Sequence, residues 1–143
     1  LMKQMLCQME KQGEGSILNV ASSAGLLPAG PYMATYYATK SYVTSLTRAV
    51  ALELKEKKSN VYVGALCPGP VDTEFNKVAN VEFAIPSITP TYCASYAIRK
   101  MEKRKIVIVP KNKMKVLAFI SRVLPQSLVI RMTARQQKKK RSW

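Results

Sequence analysis

Apolar residues recur along this chain with two different periods, and the two alternate. Met2, Met5, Leu6 and Met9 keep a helical spacing that predicts a helix over Leu1–Gln12, stopped at Gly13. The next apolar run, SILNVA from Ser16 to Ala21, is bounded by Gly15 and the polar Ser22-Ser23 pair and reads as a short buried strand. A loop containing Gly25, Pro28, Gly30 and Pro31 leads into the strongest helical pattern, from about Thr35 to Lys57. Val43, Leu46, Val50 and Leu54 share one stripe of that helix, and charges gather at its C-terminal end. Val61–Cys67 (VYVGALC) is a second strand, ended by Pro68-Gly69-Pro70. Phe75 to Pro86 is a short excursion without a clear period. A helix then begins at Thr89-Pro90, with proline tolerated in its first turn, and runs to about Glu102. Ile106–Val109 (IVIV) is a third strand, ended by Pro110.

Strands that are apolar throughout and alternate with helices predict an α/β fold whose parallel sheet is covered on both faces. Three strands are too few for a complete doubly wound sheet. Beyond Pro110 the pattern changes to two basic amphipathic helices, Met114–Arg122 and Leu124–Gln137, separated by Pro125. Residues 1–110 therefore read as a partial α/β domain and 111–143 as a basic helical C-terminal extension. That extension is expected either to pack on the domain or to lie on a membrane surface. Its longest apolar stretch, Val116–Ile130, is broken by Arg122, Pro125 and Gln126 and is too short to cross a bilayer.

Charge sharpens this picture. The chain has 23 Lys plus Arg against 8 Asp plus Glu, a formal net charge of +15, much of it late in the sequence. Such a balance favours anions, whether nucleotide phosphates, acidic lipid headgroups or nucleic acid. Nucleic acid is the least favoured, because no aromatic-interleaved patch or reader motif occurs. The absence of His removes most zinc-site and Ser–His–Asp options. Cys7, Cys67 and Cys93 are odd in number and show no CxxC spacing, which suits a reducing compartment. The expected location is intracellular, cytoplasmic or peripheral on a cytoplasmic membrane face.

Candidate chemistry concentrates around the long helix. Tyr36 and Lys40 stand four residues apart, so a helix places both on one face, with Ser22 and Ser23 just upstream. A lysine ammonium beside a phenol favours its ionised form, and a nearby hydroxyl adds a donor. General acid–base chemistry on a carbonyl or alcohol needs that combination. Tyr37 and Tyr42, neither four before a lysine, read as packing residues. An aromatic anchor at a helix start, an exposed lysine and a turn serine are the bland alternatives for the three positions.

Taken together, the segments resemble the short-chain dehydrogenase/reductase family from Leu1 to about Pro110. Asn19-Val20-Ala21-Ser22-Ser23-Ala24-Gly25 looks like its strand ending in the active-site serine. Tyr36-Tyr37-Ala38-Thr39-Lys40 looks like its YxxxK motif, and Pro68-Gly69-Pro70-Val71-Asp72-Thr73 resembles its PGxVxT segment. One such motif is weak; three in order, each at the right strand or helix end, are strong. The resemblance implies the C-terminal portion of a Rossmann-like doubly wound parallel sheet. It implies Ser22, Tyr36 and Lys40 as catalytic residues. Tyr36, Lys40, Pro68, Gly69, Val71 and Thr73 would bind the nicotinamide side of NADP or NAD, with NADP slightly ahead. No metal is implied.

Two registers compete for the serine. Aligning on Asn19 and Gly25 selects Ser22, fourteen residues before Tyr36, whereas the family's commoner spacing of about thirteen selects Ser23. Ser22 is preferred, because an extra residue in a Pro/Gly loop costs little. The family's glycine-rich phosphate turn is absent from these residues, so the chain reads as the catalytic and nicotinamide half of such an enzyme. The expected substrate is a hydrophobic ketone, aldehyde or alcohol, and the Thr35–Lys57 helix is the expected surface for homo-oligomer formation. The competing readings are a catalytically incomplete binding or scaffold protein, and a tail held at an acidic membrane surface.

Overall fold

The structure is a computed structural model that describes residues 1–73 and 86–140. Helix α1 (Met2–Gln12) leads to strand β1 (Gly15–Val20), a 3-10 turn (Ser23–Leu26) and helix α2 (Ala34–Glu56). Strand β2 (Val61–Leu66), helix α3 (Pro90–Glu102), strand β3 (Val107–Ile108), and helices α4 (Asn112–Val123) and α5 (Gln126–Lys140) follow. Each predicted helix and strand is present with ends shifted by at most three residues. The excursion expected over Phe75–Pro86 falls, up to residue 85, outside the described residues.

Local chemistry sets several of these ends. Gly13 stops α1 in the left-handed region at φ 81°, where a side chain would be strained. Thr89 caps α3, its side chain accepting the Tyr92 N–H, and Pro90 occupies the first turn where no backbone donor is needed.

The sheet is parallel throughout, in the order β1-β2-β3. Gly15 to Val20 pair with Val61 to Leu66 in register, and Ala65 and Leu66 pair with Val107 and Ile108. Every β2 residue is buried, as a central strand covered on both faces must be. On one face Leu54, Val61 and Val63 pack with Met2, Leu6, Met9 and Val50, joining α1 and α2 to the sheet. Ala65, Cys67 and Val109 meet Met114 of α4 there as well. Across the sheet, Leu66 and Ile108 meet Cys93 and Ala97 of α3.

The buried stripe of α2 differs from the one its aliphatic residues suggest. Val43, Leu46 and Val50 are only half-buried, while Tyr37, Thr44, Thr47, Ala51 and Leu54 are the buried positions. Thr44 and Thr47 are completely buried because each hydroxyl donates to a carbonyl one turn back, Lys40 O at 2.8 Å and Val43 O at 2.7 Å. With that donor satisfied, the side chain serves as a small core residue. Small size matters here: a Cβ on Gly25 would lie 2.4 Å from Lys40 O and 2.6 Å from Thr44 Oγ1. Tyr42, expected to pack, is instead 67% exposed, because it lies on the outward face of α2.

Both C-terminal helices lie against the α/β unit. Met114 and Ser121 are the buried residues of α4. Val129, Thr133 and Gln137, one helical stripe, are buried on α5. Thr133 Oγ1 donates to Ala29 O at 3.1 Å, so α5 covers the Pro/Gly loop ahead of α2.

Candidate active site

The C-terminal ends of β1 and β2 are laced together. Ala21 N donates to Leu66 O and Ser23 N to Pro68 O, both at 2.8 Å. The Ser22-Ser23 pair and the Pro68-Gly69 turn therefore lie side by side at the strand ends, where open α/β sheets bind ligands. Ser22 is buried and extended, and it caps the 3-10 turn by accepting the Ala24 N–H at 3.2 Å. That bond occupies an Oγ lone pair and leaves the hydroxyl proton to donate elsewhere. The turn role expected of an ordinary serine and a donor role are thus compatible at this residue. Ser23 is half-buried.

Helix α2 brings the other two residues to the same strand end. Tyr36 and Lys40 share a face, with the Lys40 Nζ 5.8 Å from the Tyr36 ring centroid. Lys40 Nζ also donates to Val20 O at 3.1 Å, the last residue of β1 and two before Ser22. Lys40 is therefore no idle surface lysine: it ties the first turns of α2 to the strand that carries the serine. Tyr36 itself stands exposed beside Tyr37, ring centroids 6.3 Å apart in an edge-on arrangement.

Tyr37 is the packing residue its position suggested. Gln137 Nε2 on α5 donates to its hydroxyl at 2.9 Å. Burial pushes the Tyr37 phenol above its ordinary pKa, the Gln137 hydrogen bond works against that shift, and Tyr36 adds to it. Cys67, at the end of β2, has its thiol pushed up by burial, with the contact to Thr44 Oγ1 at 3.8 Å working against it. It is a neutral core thiol, not a nucleophile.

The Pro68–Thr73 segment leaves β2 and is anchored at its far end. Val71 bridges Ile88 in parallel, through Ile88 N to Pro70 O at 3.0 Å and Asp72 N to Ile88 O at 2.9 Å. Pro68, Gly69 and Val71 are half-buried and Thr73 is exposed. Ser22, Tyr36, Lys40, Pro68 and Gly69 are thus gathered at one end of the sheet, and Val71 is held by the strand-like bridge. Thr73 lies farther along, next to residues outside the described set. Sequence reasoning missed Thr133 and Gln137, which hold the loop and helix start that carry Tyr36. Their only signal was a polar residue at every fourth position of a helix, which any solvated face also shows.

Residues 1–82 match the family model described as short chain dehydrogenase. The chain belongs to the short-chain dehydrogenase family. It is 46% identical over 65 residues to a D-beta-hydroxybutyrate dehydrogenase of Rhizobium meliloti (strain 1021), covering 46% of this chain and 24% of that protein. It is 35% identical over 103 residues to the bovine (Bos taurus) dehydrogenase/reductase SDR family member 4, covering 72% of this chain and 35% of that one. This short-chain dehydrogenase sequence thus spans about a quarter to a third of the length of these relatives.

Solved structures agree on the fold. A short-chain dehydrogenase from Sphingobium yanoikuyae in complex with NADPH superposes with a TM-score of 0.68 at 24% identity, over 85% of this chain and 49% of that one. A Burkholderia phymatum short-chain dehydrogenase/reductase in complex with NAD gives 0.69 at 24% identity, over 82% and 50%. The observed three-stranded parallel sheet with its helices corresponds to about half of each of these Rossmann-like domains.

Proposed function

We propose that this chain is the catalytic portion of a nicotinamide-dependent oxidoreductase that interconverts a hydrophobic ketone or aldehyde with its alcohol. One observation carries the reading: Lys40 reaches from α2 to the Val20 carbonyl and so holds the Tyr36 turn against the strand end that bears Ser22. Family membership supplies the context, and the gathering of Ser22, Tyr36, Lys40, Pro68 and Gly69 at one sheet end supports this choice of site.

The residues present fit a nicotinamide cofactor. Lys40 spends one ammonium proton on Val20 and keeps two for ribose hydroxyls. Pro68, Gly69, Val71 and Thr73 would face the carboxamide, with Val71 set by its bridge to Ile88. When bound, the nicotinamide supplies the hydride chemistry, as NADP or NAD with NADP slightly ahead. Tyr36 Oη gives its proton to the carbonyl oxygen in reduction and takes it back in oxidation. Ser22 Oγ donates a hydrogen bond to the same oxygen, oriented by the Ala24 N–H on its lone pair. Self-association through α2 is supported by the exposure of Tyr42 and Leu52 on that helix.

The test uses the whole protein that contains this chain, assayed for NADPH and NADH oxidation with hydrophobic ketones. Tyr36→Phe removes one hydroxyl and is expected to lower turnover by about 100-fold or more with the far-UV circular dichroism unchanged. Ser22→Ala should cost activity heavily and Ser23→Ala little. Near-normal turnover in the Tyr36 variant would sink the assignment, and a reversed serine ranking would move the oxygen-binding role to Ser23.

A further inference from the structure

Helix α4 carries two apolar faces, and the fold uses one. Met114 is buried among Ala21, Ala65, Cys67 and Val109, with Leu117 packed against that cluster. At about 3.6 residues per turn, Val116, Phe119, Ile120 and Val123 gather on the opposite side. They are 57%, 68%, 44% and 73% exposed. A surface helix ordinarily turns polar residues to water on that side. Here the charged residues sit at the borders, with Lys115 and Arg122 along one edge and Lys113 along the other, and Asn112 is the one polar residue of α4 on the stripe itself.

The helix is also firmly held. Lys115 Nζ donates to the Tyr96 hydroxyl at 3.0 Å and to Asn112 Oδ1 at 3.1 Å, which fastens α4 to α3. On α5, Leu128 and Met132 are exposed beside Arg131 and Arg135. No Asp or Glu follows Glu102, whereas Lys and Arg recur to Arg141.

This combination selects among partners. A second copy of the same surface would bring like charges together, and a neutral apolar partner would leave the bordering cations unpaired. An anionic bilayer meets both demands, with acyl chains for the stripe and phosphates for its edges. We propose that the outer face of α4 seats this protein on anionic membrane surface, with Phe119 and Val123 at the headgroup–acyl boundary. Among the described residues no helix is long and apolar enough to cross a bilayer, so the contact is peripheral.

Flotation of the purified protein with phosphatidylcholine vesicles, with and without phosphatidylglycerol, tests this. Binding to the anionic vesicles that weakens with salt is expected, with little binding to the neutral ones. Phe119→Ser/Val123→Ser should lower the partition coefficient about tenfold or more. Lys113→Glu/Arg122→Glu should lower it at least as much, since each basic residue near the surface is worth about fivefold. All four positions are exposed, so unchanged circular dichroism will show that folding is intact. Equal binding to both vesicle types, no binding, or full binding by the serine variant would overturn the proposal. So would a dimer that the serine variant splits into monomers without any vesicle binding, which would make the face a contact between copies.

Discussion

Helices α2 and α4 lie on the same face of the sheet and divide their residues in opposite ways. The most deeply buried side chains of α2 are threonines, and the most exposed large apolar side chains of α4 are Phe119 and Val123. Composition alone would predict the reverse. On α2, each threonine hydroxyl finds its partner within its own helix, so burial leaves no unsatisfied donor. The helix can then approach the turn after β1 closely enough for Lys40 to reach Val20. On α4, the inner face already fills the available core, and the outer stripe has no element of the described chain above it. What a residue does depends on the partner its position meets, more than on its own polarity.

The sharpest break of this comparison is at the contact between α2 and the turn. Gly25→Ala places a methyl group 2.4 Å from the Lys40 carbonyl, which is backbone and cannot swing aside. The cost is expected at about 3 kcal/mol, the upper part of the overpacking range. Urea unfolding measures it, and loss of less than about 1 kcal/mol would mean that α2 can slide without penalty.

A smaller effect is expected from Thr47→Val. The shape is kept, but Asn19 Nδ2 loses the acceptor it holds at 2.9 Å. About 1–2 kcal/mol is expected, the cost of stranding a partly buried donor. Thr44→Val should cost less, because beyond its own helix bond the Thr44 hydroxyl makes only the weak 3.8 Å contact with Cys67 Sγ. Equal costs would show that helix back-bonding, rather than the cross-link to β1, sets the value of these threonines.

The smallest effect belongs to α4. Phe119→Ser removes a large apolar side chain, yet in vesicle-free solution the unfolding free energy should stay within about 0.5 kcal/mol. Denaturant unfolding of the same variant reads this directly. A loss of 2 kcal/mol or more would show that the stripe is packed after all, and that α4 and α2 follow one rule.

Much of this protein was legible in the sequence because its signals are local. Continuous apolar runs, proline stops and helical spacing marked each strand and α-helix described, though not the 3-10 turn at Ser23–Leu26, since hydrogen bonding and burial act over one or two turns. Tyr36 and Lys40 were legible for the same reason, as four residues on a helix always share a face. Tertiary structure alone decided which partner each group meets. That Lys40 binds Val20, that Gln137 reaches Tyr37 across 100 residues, and that threonines fill the α2 contact all depend on chain segments brought together by folding. Spacing in sequence carries no information about such approaches, because the sheet register and the close contact at Gly25 set them.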